Sequence, residues 1–351
     1  MNGKRPDRNG FRCTAALTML LCLSAAGCTG SSRHAAESTP KKAAAAATEP
    51  AAAAPSWFAV LSHGRVQWFN TVTVKPIGLI GGPSGRRVTS IASWHDNRSI
   101  VMAASGGKHG PCVTLLQRQR VDAWNRLSQA DLPQGHIIDG SVSEIAVSAD
   151  RSQIALAVGV RTGPNECNRP ELLLINLTTG ARRIWTLPYD EPPAGEGSGY
   201  GGHFVANLAW SPDNRHLAML VGECCAYGPG VWILDTQKPS GPLIPRLHHL
   251  AQVPACEGMA YAWTSLGIVS ENSACAYTPN LVVLDPSTGS VRHVIGVSLP
   301  DNSSIDEIAP DSTGSNYLVY ADQPIYRTDG HTLTKLMFLP WHTSSRQQAV
   351  W

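Results

Sequence analysis

The chain has 351 residues, 43% of them hydrophobic and 15% charged, with 32 Gly and 25 Pro. This composition suits a turn-rich β protein better than a helical one, and the length allows one large or two ordinary domains. A formal charge of +2 at pH 7 argues against nucleic acid, or an anionic lipid surface, as a partner held by bulk charge.

At the N-terminus, Lys4, Arg5, Arg8 and Arg12 form a basic segment, an apolar stretch runs from Cys13 to Leu23, and Ser24, Ala25, Ala26 and Gly27 precede Cys28. This is the pattern of a signal peptide, too short for a stable membrane span. Small residues ending in Gly27-Cys28 resemble the bacterial lipobox. The resemblance implies that residues 1–27 are removed, that Cys28 carries diacylglycerol, and that the lipid is the protein's contact with the membrane, on the extracytoplasmic side. Ala25 stands where the motif commonly has Leu, so an ordinary secretory signal cut after an alanine is the alternative. The residues before Cys28 account for +3, which leaves −1 on the rest of the chain.

Residues 28–55 are rich in Ala, Ser, Thr, Pro and Lys, with alanine runs at 43–47 and 51–54. They offer little to bury and read as a tether with a coil reach on the order of 30 Å.

From Trp57 onward, short β-branched or alternating runs are separated by Gly, Pro, Asn and Asp, and no 3.6-residue apolar period is sustained. Asn207 to Ala218 reads as two strands around a Ser211-Pro212-Asp213-Asn214 turn. Related segments begin at Ile91, Ile145, Met259 and Ile308, about every fifty residues. A second strand pair follows in the units: Glu171–Asn176 with Arg182–Leu187, Val231–Asp235 with Leu243–Arg246, and Leu281–Asp285 with Val291–Val297. Four strands per unit is a propeller blade. The Trp210-Ser211-Pro212-Asp213 segment and its echoes resemble TolB-like and WD40-like propeller repeats over residues 56–351, although the Met259 and Ile308 units lack the full turn. The resemblance implies an all-β propeller whose family role is protein contact in the cell envelope. Trp57 to Ile80 reads as three strands lacking an inner one, and Gln347 to Trp351 reads as an inner strand. Together they predict six four-stranded blades, with the C-terminal strand closing the ring so that no edge stays open.

Once Cys13 and Cys22 leave with the signal and Cys28 takes lipid, Cys112, Cys167, Cys224, Cys225, Cys256 and Cys275 remain. In an exported domain they predict up to three disulfides. Blade topology places all six on one face, with Cys256 expected to pair with Cys275, and Cys224 or Cys225 with Cys167. A soft-metal site such as copper at Cys224-Cys225 and nearby histidines is the alternative. The same face is predicted to hold binding candidates His109, His136, Tyr200, His203, Tyr227, His248 and Tyr277. Long solvated loops carry such residues without any function, which is the plain alternative for each. The other face, with Arg98, Arg151, Arg182, Arg183, Arg215 and Arg292, reads as a solvated basic rim. Trp94, Trp210, Trp232 and Trp263 read as packing between blades.

Gly197 to Gly202 matches G-x-G-x-x-G, but Pro192 and Pro193 precede it and no helix signal follows, so it is not a dinucleotide loop. Ser198 lacks the glycines of a nucleophile elbow, and His248-His249 lacks the spacing of a zinc helix. No catalytic constellation, metal set or cofactor site is predicted. The sequence therefore points to a monomeric, membrane-anchored interaction module whose partner is a cell-envelope protein or other envelope component. The alternatives are a propeller hydrolase or lyase with its site in the axial mouth, and a lipoprotein that carries a small ligand or metal. Carboxylates or histidines converging from three or more blades would mark the enzyme.

Overall fold

The second strands of the repeats are apolar runs rather than alternating ones, because both faces of each sheet are covered. In Ser99–Ser105 every residue is buried. Ile100, Met102 and Ala104 pack into the core toward one neighbouring sheet, and Val101 and Ala103 into the core toward the other. The computed structural model describes residues 54–107, 110–132, 137–163, 166–189, 203–223, 230–250, 261–271, 280–300, 305–321, 323–339 and 347–351. They form six four-stranded antiparallel blades in a propeller.

From the axis outward, blade 1 consists of Gln348–Val350, Trp57–Ser62, Arg65–Asn70 and Pro76–Gly81. Blade 2 is Arg87–Ser93, Ser99–Ser105, Val113–Val121 and Leu127–Ala130; blade 3 is Ser141–Val147, Gln153–Val160, Arg169–Asn176 and Arg182–Thr186. Blade 4 is His203–Trp210, His216–Glu223, Trp232–Asp235 and Leu247–His249, and blade 5 is Tyr261–Thr264, Gly267–Glu271, Asn280–Leu284 and Val291–Ser298. Blade 6 is Ile305–Pro310, Tyr317–Ala321, Pro324–Thr328 and Leu333–Phe338. Two short strands add to this plan: Ile137–Asp139 pairs with the third strand of blade 2, and Gly241–Pro242 runs parallel to the outer strand of blade 3.

The ring closes as the sequence predicts. Gln348–Val350 pairs antiparallel with Trp57–Ser62, with Ala59 opposite Val350 and Leu61 opposite Gln348. Trp351 is fully buried in the same core as Trp57 and Trp68, whose ring centroids are 4.4 Å apart. Gln348 also joins this blade to the next, its Oε1 accepting the Ile91 N–H at 2.9 Å.

One outer strand lies elsewhere than expected. Leu243–Arg246 does not form the fourth strand of blade 4, because Ile244–Arg246 is a 3-10 turn with Pro245 in it. A proline has no N–H to give to a ladder. The outer strand instead starts at Leu247, and the preceding Gly241–Pro242 extends blade 3, where Trp185 Nε1 donates to Pro239 O at 3.1 Å.

Candidate functional site

The turns between first and second strands gather at one end of the axis, and in four blades they are built alike. Asp96, Asp150, Asp213 and Asp311 each accept, through Oδ1, the N–H two residues on, at 2.8 to 3.1 Å. Such side-chain bonds replace the ladder partners that a turning backbone loses. In three of them the next residue, Asn97, Arg151 or Asn214, has φ between 52° and 64°.

The same end carries the turns between third and fourth strands. In all six blades an Asn or Asp closes the third strand and accepts the N–H two residues on: Asn70, Asp122, Asn176, Asp235, Asp285 and Asp329, at 2.8 to 3.0 Å. Hydrogen bonds from Ser287 and Arg292 hold the Asp285 carboxyl well below the usual range, and those from Thr332 and His331 bring Asp329 down to about 2. Two arginines of the basic rim are paired with these carboxylates: Arg215 meets Asp235 at 2.9 Å and Arg292 meets Asp285 at 2.7 Å.

Within this ring of turns the axial channel opens into a cavity of about 300 Å3 to which all six blades contribute. Its wall is chiefly apolar and aromatic, including Ile91, Ile145, Leu208, Trp210, Trp263 and Ile308. The carboxylates and histidine that line it are His95, from blade 2, and Glu307 and Asp311, from blade 6, and Tyr261 adds a hydroxyl from blade 5. Asp311 is committed to its own turn, where Oδ2 accepts Asn316 Nδ2 at 2.9 Å. His95 Nε2 lies 2.9 Å from Val147 O of blade 3, and burial, helped by Arg151, lowers its pKa against the pull of that carbonyl and of Asp96. Burial likewise pushes the Tyr261 hydroxyl well up.

Higher in the channel, inner strands bulge at one level, with register breaks between Val88 and Ser90, Ala206 and Ala209, and Ile305 and Glu307, and opposite Glu144. Bulges re-aim side chains. Here the buried Glu144 turns toward blade 4 and its Oε1 accepts the Asn207 N–H at 3.3 Å, with Asn207 at φ 53°. Nothing in the turn chemistry of the sequence announces these bulges.

The opposite end carries the described cysteines. Cys112 and Cys167 leave the second strands of blades 2 and 3 on the same face, as the topology predicts, and bond to each other with Cα atoms 5.5 Å apart. Cys167 therefore does not pair with Cys224 or Cys225. The loop that enters the third strand of blade 3 passes so close to the second strand that a Cβ on Gly159 would meet Cys167 O at 2.1 Å. Cys28, Cys224, Cys225, Cys256 and Cys275 lie outside the described residues, as do His109, His136, Tyr200, Tyr227 and Tyr277.

The two described binding candidates are not brought together. His203 begins the inner strand of blade 4, opposite Glu223, at the cysteine-bearing end. His248 sits in the outer strand of that blade and approaches Ser287 O at 3.3 Å, in a blade 5 turn at the other end. The four tryptophans pack against cores shared by neighbouring blades. Trp210 packs between blades, its Nε1 donating to Ala146 O at 3.1 Å, and Trp94 is buried beneath the Arg118 guanidinium, 4.4 Å from its ring centre. Trp232 stacks on His249 at 4.4 Å. Trp263, half-buried, packs against the core between blades 4 and 5 and, like Trp210, also lines the cavity.

No protein-family model matches the sequence, and no curated protein sequence matches it. The fold is similar to that of a protein assigned as TolB from Agrobacterium tumefaciens, at 14% identity and a TM-score of 0.50 over 83% of this chain and 96% of that one. It also matches the Cps50 (Swd1) β-propeller domain of Myceliophteria thermophila, at 14% identity and a TM-score of 0.44 over 84% and 86%. A functionally unknown protein from Desulfotomaculum acetoxidans matches at 13% identity and a TM-score of 0.44 over 81% and 78%.

Proposed function

We propose that the protein is a lipid-anchored, extracytoplasmic interaction module: Cys28 holds it to the cell membrane, residues 28–55 act as tether, and the propeller engages an envelope protein or other envelope component. The observation that carries this reading is the Cys112–Cys167 bond between loops of neighbouring blades. Disulfides persist in oxidising compartments outside the cytoplasm, in agreement with the basic and apolar leader that ends at Cys28. The propeller fold and the Trp210-Ser211-Pro212-Asp213 segment with its echoes fit the interaction role of TolB-like domains. The chiefly apolar and aromatic wall of the axial cavity suits binding, and Asp311 there is spent on a turn.

Metabolic labelling with a fatty acid tests the anchor: the wild type takes the label into the membrane fraction and Cys28→Ala does not. In-cell crosslinking tests the role, with one envelope protein expected in stoichiometric yield from the lipidated form. An unlabelled wild type, or a crosslink pattern identical in Cys28→Ala, would remove this reading.

A further inference from the structure

The turns between third and fourth strands share one build, so the residue two places after the closing Asn or Asp compares directly from blade to blade. In blades 3 to 6 it is polar: Thr178, Gln237, Ser287 and His331. In blades 1 and 2 it is Val72 and Trp124, with the same turn bond at 3.0 and 2.8 Å. They stand 81% and 78% exposed, the two most exposed large apolar side chains among the described residues. Single exposed apolar residues are common, but these two hold one turn position in adjacent blades. The outer strands that follow them touch, since a Cβ on Gly78 would meet Leu127 Cδ1 at 2.5 Å, so the two turns lie side by side. Exposed cations flank the pair. Lys75 ends the first turn, Arg126 pairs with Asp122 at 2.7 Å in the second, and Arg98 O accepts the Val121 N–H at 2.9 Å just before it.

The chain from Cys28 joins the propeller at this corner. Thr71, beside Val72, donates its N–H to Ser56 O at 3.0 Å and its hydroxyl to Pro55 O at 2.7 Å, and Ala54 packs on the core of blade 1. The first described residues are therefore fixed to the turn that carries Val72. A tether with a coil reach on the order of 30 Å holds a domain near its anchor at an effective concentration on the order of millimolar. At that concentration a membrane contact too weak to hold a free protein is occupied.

We propose that the corner formed by the blade 1 and blade 2 turns docks on the membrane surface, with Val72 and Trp124 entering the interfacial layer and Lys75 and Arg98 meeting lipid phosphates. The inference rests on the lipid anchor proposed for Cys28 and supplies the orientation that an anchor alone leaves open. Tryptophan suits that depth, because its ring is apolar while its N–H finds a partner among the head groups. A specific protein interface covers about 800 Å2 on each side and needs matching shape. Two protruding side chains suit a fluid surface better, since lipid moulds around them. The contact depends on apolar insertion more than on charge, in keeping with a chain of nearly neutral net charge, so added salt weakens it little. In this orientation the end that carries Cys112 and Cys167 is turned away from the membrane, open to an envelope partner.

The test places the mature lipidated protein in vesicles of phosphatidylethanolamine with a minor share of phosphatidylglycerol, with and without bromine on the acyl chains to quench indoles that reach them. The variants are Trp124→Phe, the double change Val72→Glu with Trp124→Glu, and a control at the same turn position of blades 3 and 4, Thr178→Glu with Gln237→Glu. Each is checked for an unchanged unfolding midpoint and for sedimentation with the vesicles. Brominated lipid should quench the wild type and the control, and that quenching should be lost in Trp124→Phe and in the double variant. Amide exchange over residues 70–75 and 122–126 should slow about threefold on vesicles in the wild type, as for a contact occupied most of the time, and not in the double variant. Equal quenching of wild type and Trp124→Phe, with both sedimenting, would overturn the docking and leave the anchor standing. A wild type that carries no lipid would remove both. Loss of a crosslinked envelope protein in the double variant, with no quenching of the wild type, would assign the corner to that protein instead.

Discussion

Six residues, one per blade, set the geometry of the turn end. Asn70, Asp122, Asn176, Asp235, Asp285 and Asp329 each fold the chain back through the same side-chain bond, and the left-handed position that follows is glycine where the sequence allows it. Gly180 and Gly289 occupy it at φ 72° and 82°, while Val74 takes it at 54°. Since a Cβ there costs about 1 to 2 kcal/mol, Gly180→Ala should lower stability by about 1 kcal/mol in denaturant unfolding, with no change in the slope. The aspartates predict acid behaviour. Asp329 titrates near 2 when folded and near 3.8 otherwise, so its contribution is present above pH 4 and is lost as the pH falls toward 2. Asp329→Asn, which keeps the turn acceptor, should flatten the loss of unfolding midpoint in that window. His95 acts higher on the scale. Its folded pKa lies below 6.5, so as pH falls below that value the unfolded chain takes the proton first and stability declines. The urea midpoint of the wild type should drop further between pH 7 and 5 than that of His95→Gln.

At the scale of elements, the C-terminal strand has the largest consequence for its size. Gln348–Val350 supplies the inner edge of blade 1, and Trp351 fills its core. Removing residues 346–351 should abolish the single cooperative transition in thermal circular dichroism; a truncated protein that melts like the parent would contradict this account of closure. This strand was legible because its pattern matches the other inner strands while the N-terminal unit lacks one. The outer strand of blade 4 was not legible, because Leu243 and Ile244 look like strand and only Pro245, with the Gly241–Pro242 pairing to blade 3, moves the ladder onward to Leu247. Outer strands are covered on fewer sides than inner ones, so their side chains constrain register less.

Over the whole molecule, the Cys112–Cys167 bond joins blades 2 and 3 across a sequence separation of 55 residues. A loop of that size predicts a stabilisation of about 2 to 4 kcal/mol through the unfolded chain. The Cys112→Ser, Cys167→Ser double variant should unfold at correspondingly lower denaturant, and reduction should shift the wild type toward it. The sequence by itself determined the all-β class, the blade period, the number of blades and the manner of closure, because these follow from which residues must alternate, turn or be covered on both faces. Only the tertiary structure decided which cysteine Cys167 meets, that His203 and His248 lie at opposite ends, and that Trp263 lines a cavity as well as packing toward a neighbouring blade. Those outcomes depend on distances between blades that share no local pattern.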